Sequence, residues 1–304
     1  MTPFPGAPTM PAAPLRPLRI GTRGSRLALR QSTLVADQFR AGGHDVELVT
    51  LVTSGDVRPP DTAWGEGAFV GALEQALLDG EIDLAVHSAK DLPSDAVAGL
   101  GVRATLPRAA TEDVLITKGA AGLRNLPKGS VIATGSVRRQ RQLGWIRPDL
   151  EIVDLRGNVP TRLRKLRQNT SWSGIILARA GLERLGLVEE GEILSPQDFV
   201  PAGGQGVIAL QVRRDDARVR ELIDAVNDRE TQVCLRAERE FLRLLDGDCD
   251  SPVGVQAKVE ADKIRIHAQV FEAPGAPPRV GTEVGPSDDP EAIAEQLMKK
   301  LYGG

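Results

Sequence analysis

Cysteine, histidine and aromatic residues are all scarce in this chain, and each scarcity removes a class of function. Two cysteines, Cys234 and Cys249, cannot build a disulfide framework. Three histidines, His44, His87 and His267, stand far apart in the sequence, so neither a zinc site nor a histidine-based triad is expected, and no metal is assigned. With six Phe, three Trp and one Tyr, of which only Trp145 and Trp172 lie near the most basic stretch, there is no stacking platform for single-stranded nucleic acid. Gly203-Gly204-Gln205-Gly206 lacks the lysine and the spacing of a phosphate-binding loop. No apolar run approaches the roughly 20 residues a membrane helix needs. Residues 1–17 carry Pro3, Pro5, Pro8, Pro11, Pro14 and Pro17 with no basic start and no apolar core. They read as a disordered tail, not a signal peptide, so a cytoplasmic protein without a membrane partner is expected.

What the chain does have is apolar content for real cores over 304 residues, enough for two or three domains. Its net charge of −3 is unevenly distributed: from Arg138 to Arg167 nine cations stand against three anions.

The stretch Ile82 to Pro93 organises the reading. Ile82, Leu84, Ala85 and Val86 have the continuous apolar character of a strand buried on both faces. The run stops in His87, Ser88, Lys90 and Asp91, and Pro93 prevents a helix from absorbing them. In open α/β sheets ligands bind at the carboxyl ends of strands, so a cation and a carboxylate arriving there together suggest a site. Taken alone, Asp91 could simply cap a turn and Lys90 sit in water.

The same arrangement recurs along the chain. Leu18 to Thr22 predicts a strand handing over to Arg23-Gly24-Ser25 and a helix to about Arg40; Val46 to Thr53 predicts the next strand. Residues 54–67 form a long connection, either disordered or a lid that includes Glu66, and Phe69 to Leu78 returns to helix. Strands are predicted near residues 102–106, 113–117, 130–134, 152–155, 174–178 and 207–212. Gly135-Ser136 opens a helix with Arg138 and Arg139 in its first turn, where cations oppose the helix dipole. Arg156 with Arg162 follows the 152–155 strand, and Arg184 follows the 174–178 strand. Together these arginines imply a cleft for a polyanion, because guanidinium forks match carboxylates and phosphates. From about Arg229 a long helix leads into Gly247-Asp248-Cys249 and a small α+β piece. Cys234 shares a helical face with Ala237, Phe241 and Leu245 and reads as a buried hydrophobe. Cys249, in a polar loop, is a candidate nucleophile or attachment point. A small polycarboxylate fits better than nucleic acid, with Asp91 held ionised among cations. A non-catalytic two-lobe binding protein for a polycarboxylate or oxyanion has the same lobes and is the alternative.

The motifs Gly21-Thr22-Arg23-Gly24-Ser25, Val86-His87-Ser88-Ala89-Lys90-Asp91-Leu92-Pro93, Gly135-Ser136-Val137-Arg138-Arg139-Gln140, Leu155-Arg156-Gly157-Asn158-Val159, Gly204-Gln205-Gly206 and Gly247-Asp248-Cys249 occur in one order from Leu18 onward. In that order they closely resemble the porphobilinogen deaminase (hydroxymethylbilane synthase) family. The resemblance implies two periplasmic-binding-protein-like α/β lobes with mixed, mostly parallel sheets (18–108 with 205–226, and 109–204) and a C-terminal α+β domain (227–304). It implies a monomer that joins porphobilinogen units, with loss of ammonia, onto a dipyrromethane held by a thioether to Cys249. It further implies that Asp91 stabilises the cationic intermediates and that Ser88, Lys90, Ser136, Arg138, Arg139 and Arg162 hold cofactor carboxylates. Arg23, Ser25, Arg156, Arg184 and Gln205 are then assigned to substrate, and Glu66 and Phe69 to the lid. Glu66 departs from the lysine common at its position in this family.

Overall fold

The computed structural model describes residues 16–52, 70–119, 122–245 and 252–303. Most of the Pro-rich tail, the segment with Glu66 and Phe69, and the segment with Cys249 lie outside the described residues.

In chain order the elements begin with β1 (Leu18–Arg23), α1 (Arg26–Ala41), β2 (Val46–Leu51), α2 (Gly71–Leu78), β3 (Leu84–Ser88) and β4 (Leu100–Thr105). The second lobe contains β5 (Asp113–Thr117), β6 (Val131–Ala133), α3 (Val137–Ile146), β7 (Glu151–Val153), α4 (Val159–Gln168), β8 (Trp172–Ala178), α5 (Arg179–Arg184) and β9 (Glu192–Ile193). The chain then returns through β10 (Ile208–Arg213) and α6 (Ala217–Asp224). It ends in α7 (Arg229–Leu244), β11 (Val253–Glu260), β12 (Lys263–Val270), β13 (Arg279–Pro286) and α8 (Pro290–Tyr302).

Among the described residues two five-stranded sheets result, β2-β1-β3-β10-β4 and β7-β6-β8-β5-β9, with a three-stranded antiparallel sheet β11-β12-β13. The fold is therefore two α/β lobes plus a small α+β domain, as the sequence predicts. In the first sheet only β10 runs against the other strands, and in the second only β5 does. The reason is geometric. Each of these strands follows a passage from one lobe to the other, so it enters its sheet from the cleft, at the carboxyl ends of the remaining strands. The passages run side by side: Ala109 N donates to Gly206 O at 3.1 Å.

Local chemistry explains the elements. The hydroxyl of Ser25 accepts from Ala28 N at 3.3 Å and starts α1, whose Val35, Ala36 and Phe39 pack on Leu18, Ile20, Leu84 and Val86. The opposite face of the first sheet is covered by Leu73 and Leu77 of α2, packed on Ile82 and Ala85. Strand β3 is thus buried from both sides, which is why its sequence is apolar without alternation. In the C-terminal domain Cys234, Ala237 and Phe241 join Val255, Ile264, Ile266 and Leu297 in one core, and burial pushes the Cys234 thiol up to about 12. Cys234 is a packing residue. The sequence reading did not anticipate β13, because Gly281, Gly285 and Pro286 disrupt its β pattern. Helix α8 crosses so close there that a Cβ on Gly285 would stand 2.1 Å from Ile293 Cδ1.

Candidate active site

The turn after β3 is a short 3₁₀ segment, Ala89–Asp91, closed by Leu92 N donating to Ala89 O at 3.2 Å and anchored by Ala89 N to Val207 O at 3.0 Å. It presents Lys90 and Asp91, both half-buried, toward the second lobe. Burial is the main force on the Lys90 ammonium and brings it down to about 8, opposed by the Asp91 charge and assisted by Arg139. Burial likewise lowers the Arg162 guanidinium to about 10, with Arg139 and Arg156 adding to the effect and Asp91 opposing it. These mutual influences place Lys90, Asp91, Arg139, Arg156 and Arg162 in one electrostatic neighbourhood, although up to 72 residues separate them in sequence.

Helix α3 delivers two of these arginines. Ser136 occupies its cap position but makes no side-chain capping bond, and no acid lies in the first turn, so the helix start has no internal counter-charge. Arg138 and Arg139, only 3 % and 5 % exposed, grip Asp113 at the head of β5. Arg138 Nη2 donates to Asp113 Oδ2 and Arg139 Nη2 to Oδ1, each at 2.7 Å. Their other Nη atoms donate to Val200 O at 2.7 Å and Ile176 O at 3.0 Å. Burial works against the Asp113 charge, but the two guanidiniums outweigh it and hold the carboxyl well below the usual range. The Nε atoms of both arginines are buried without an acceptor.

Several expected residues have internal partners. Ser88 Oγ exchanges hydrogen bonds with the Gln31 amide at 2.9 and 3.2 Å. Arg156 Nε donates to Asp154 at 2.9 Å, and Arg162 Nε to Gly157 O at 2.6 Å. Arg184 Nη2 donates to Gly206 O at 2.6 Å, linking α5 to the return passage; burial lowers this guanidinium to about 10. Gln205 is 1 % exposed and its amide donates to Thr111 O at 2.7 Å and Asp113 Oδ1 at 3.0 Å. It ties the two passages together, a placement that its expected contact with substrate did not foresee. Arg23 is half-buried at the end of β1, and its charge bears on His87. His87 itself turns away: it is buried, with Nε2 2.9 Å from Gln211 Oε1.

Asp113, Gln31 and Glu238 were not singled out from sequence. For Asp113 a signal existed, a carboxylate heading an apolar strand, but nothing local names its partners.

Among the described residues no helix is long and apolar enough to cross a membrane, and no group of three or more His, Cys, Asp or Glu is placed to hold a metal. Two α/β lobes that bring a carboxylate, a lysine and several arginines into one electrostatic neighbourhood form a site of the class that can hold a small polyanion. Comparison with known proteins makes the class specific. Residues 18–221 match "Porphobilinogen deaminase, dipyromethane cofactor binding domain" and residues 232–303 match "Porphobilinogen deaminase, C-terminal domain". A porphobilinogen deaminase of Nitrobacter hamburgensis is 42 % identical over 93 % of this chain and 92 % of its own length. One of Syntrophotalea carbinolica is 44 % identical over 93 % and 92 %. Among solved structures, the methionine-binding protein MetQ is similar at 17 % identity and a TM-score of 0.45, covering 71 % of this chain and 91 % of its own. The chain belongs to the porphobilinogen deaminase family.

Proposed function

We propose that this protein is a transferase that deaminates four porphobilinogen molecules, joins them head to tail on a covalent dipyrromethane primer, and releases the linear tetrapyrrole hydroxymethylbilane. The observation that carries the reading is the single turn carboxylate, Asp91, set among Lys90 and Arg162 within a cleft whose buried Arg138 and Arg139 retain unanswered Nε donors. Orphaned guanidinium donors and an uncapped helix start fit a group bearing several carboxylates. When bound, the dipyrromethane supplies the pyrrole carbon on which the chain grows.

The protein's own residues bind, orient and stabilise charge. Lys90, Ser88, Ser136, Arg138, Arg139 and Arg162 hold carboxylates of the primer, with Asp113 fixing the two adjacent guanidiniums in place. Arg23, Ser25 and Arg156 hold the incoming substrate, with Arg184 at the edge of the return passage. Asp91 accepts hydrogen bonds from pyrrole N–H groups and stabilises the positive charge that develops as the amino group leaves; preorganised charge of this kind needs no reorganisation during the step. Cys249 is the attachment point through a thioether. The working units are 18–108 with 205–226, 109–204 and 227–304, in a cytoplasmic monomer.

The test is turnover. Purified protein incubated with porphobilinogen is expected to release ammonia and hydroxymethylbilane in a four-to-one ratio; saturable binding of porphobilinogen with no ammonia released would overturn the reading in favour of a binding protein.

A further inference from the structure

Helix α7 belongs to the C-terminal domain, yet one of its faces holds the turn that carries Asp91. Cys234, Ala237 and Phe241 lie at helical spacing and pack into the C-terminal core. On an adjoining face, Leu235, Glu238 and Arg239, themselves at helical spacing, reach the first lobe and the return passage. Leu235 packs with Ala89 and Leu92, the residues flanking Lys90-Asp91. Glu238 accepts from Gly204 N at 2.7 Å. Gly204 in turn lies so close to the turn that a Cβ there would stand 2.9 Å from Ala89 Cβ and 3.0 Å from Lys90 N, with φ of +73° besides. Arg239 Nη2 donates to Pro93 O at 2.8 Å and Ser94 O at 3.3 Å, just beyond the turn.

We propose that Arg239 is a positioning residue for the reaction: from the C-terminal domain it holds the Pro93 and Ser94 carbonyls and thereby fixes the Asp91 carboxylate in the cleft. This rests on the reading of Asp91 as the catalytic carboxylate. Pro93 has no N–H, so at that residue only the carbonyl can be held. A guanidinium presents several donors in a rigid fork, whereas an ammonium is a single flexible point charge. Without Arg239 the segment after Asp91 keeps the Leu92 contact but loses the bonds that set its direction. Arg239 also borders a cavity of about 640 Å³ between the first lobe and α7, lined by Leu92, Pro93 and Leu235 among others. Truncating it therefore enlarges a space already present and leaves the two apolar faces of α7 in contact.

The experiment compares Arg239→Ala and Arg239→Lys with Arg236→Ala, on holoenzyme whose primer load is verified by intact mass. Arg236 lies on the same helix and borders the same cavity, but pairs with half-buried Glu291 at 2.6 Å instead of with the Pro93 and Ser94 carbonyls. For Arg239→Ala the expected result is a loss of about tenfold in kcat with KM changed less than about twofold, the pattern of a contact that matters at the transition state. Amide hydrogen exchange should quicken in residues 86–96 and not in the C-terminal sheet. Arg239→Lys should recover part of the rate, and Arg236→Ala should match the parent protein. Unchanged kcat in Arg239→Ala, an equal loss in Arg236→Ala, or unaltered exchange at 86–96 would each overturn the proposal. Should Arg239→Ala not fold, Arg239→Lys and Arg239→Gln carry the same comparison. Asp91→Asn, run alongside, separates the two readings. If it stays active, the role of Asp91 is wrong; if it is inactive while Arg239→Ala is fully active, only the role of Arg239 is wrong.

Discussion

The wholly buried carboxylate of Glu238 accepts from both Nη atoms of Arg108, at 2.6 and 3.0 Å. The same carboxylate accepts from Gly204 N at 2.7 Å and Ala257 N at 2.6 Å, so one side chain binds both inter-lobe passages and the C-terminal sheet. Breaking such a pair from one side leaves an uncompensated buried charge. Arg108→Met is expected to cost about 3–5 kcal/mol, which lowers the thermal midpoint by on the order of 10 °C in a chain of this size. Calorimetry checks this, and a midpoint within a degree or two of the parent would show that the carboxylate is served without Arg108.

Asp91→Asn keeps the size of the side chain but removes its charge. Turnover is expected to fall by about a hundred- to a thousandfold, the scale seen when one preorganised electrostatic group is removed, while urea unfolding stays as in the parent. A rate within tenfold of the parent would assign charge stabilisation elsewhere.

Cys249→Ser is expected to leave the chain without covalent pyrrole. Intact mass of the denatured protein, before and after incubation with porphobilinogen, checks it. A two-pyrrole mass increment persisting in this variant would move the attachment to another residue.

Stability should depend on His87 in acid. Burial pushes this imidazole down to about 4, with the Arg239 and Arg23 charges adding to the effect and the Gln211 contact opposing it. Because Gln211 Nε2 donates to Glu74 at 2.9 Å, its oxygen faces His87, and the neutral ring donates from Nε2. The unfolded chain therefore binds a proton near 6.5 that the folded chain refuses until about 4. The contribution is complete above 6.5 and lost as pH falls toward 4, amounting to about 3 kcal/mol. Urea unfolding of His87→Gln over that interval should show a flatter pH dependence; an identical slope would place the acid sensitivity elsewhere.

Much of this site was legible because its signals are local. A strand end, the polar residues that follow it and an arginine in the next helical turn lie within about ten residues, and β3 with Lys90-Asp91 or β7 with Arg156 could be read in that window. Partners could not. Arg138 finds Asp113 at a separation of 25 residues and Arg108 finds Glu238 at 130, and no periodicity in either segment points to the other. The same limit explains Gln205 and Arg184, whose positions near the cleft were evident while their bonds to Asp113 and Gly206 were not.

By itself, then, the sequence determined the buried strands, the helix starts, the cationic lining and the lone carboxylate turn, since backbone propensity, apolar patterning and residue chemistry act over a few residues. Only the tertiary structure decided that β5 and β10 run against their sheets and that α3 aims its first arginines at Asp113. It also decided that a helix of the C-terminal domain holds the turn of the first lobe. Those outcomes depend on where the chain re-enters a sheet from the cleft and on which buried charges must find each other once water is excluded.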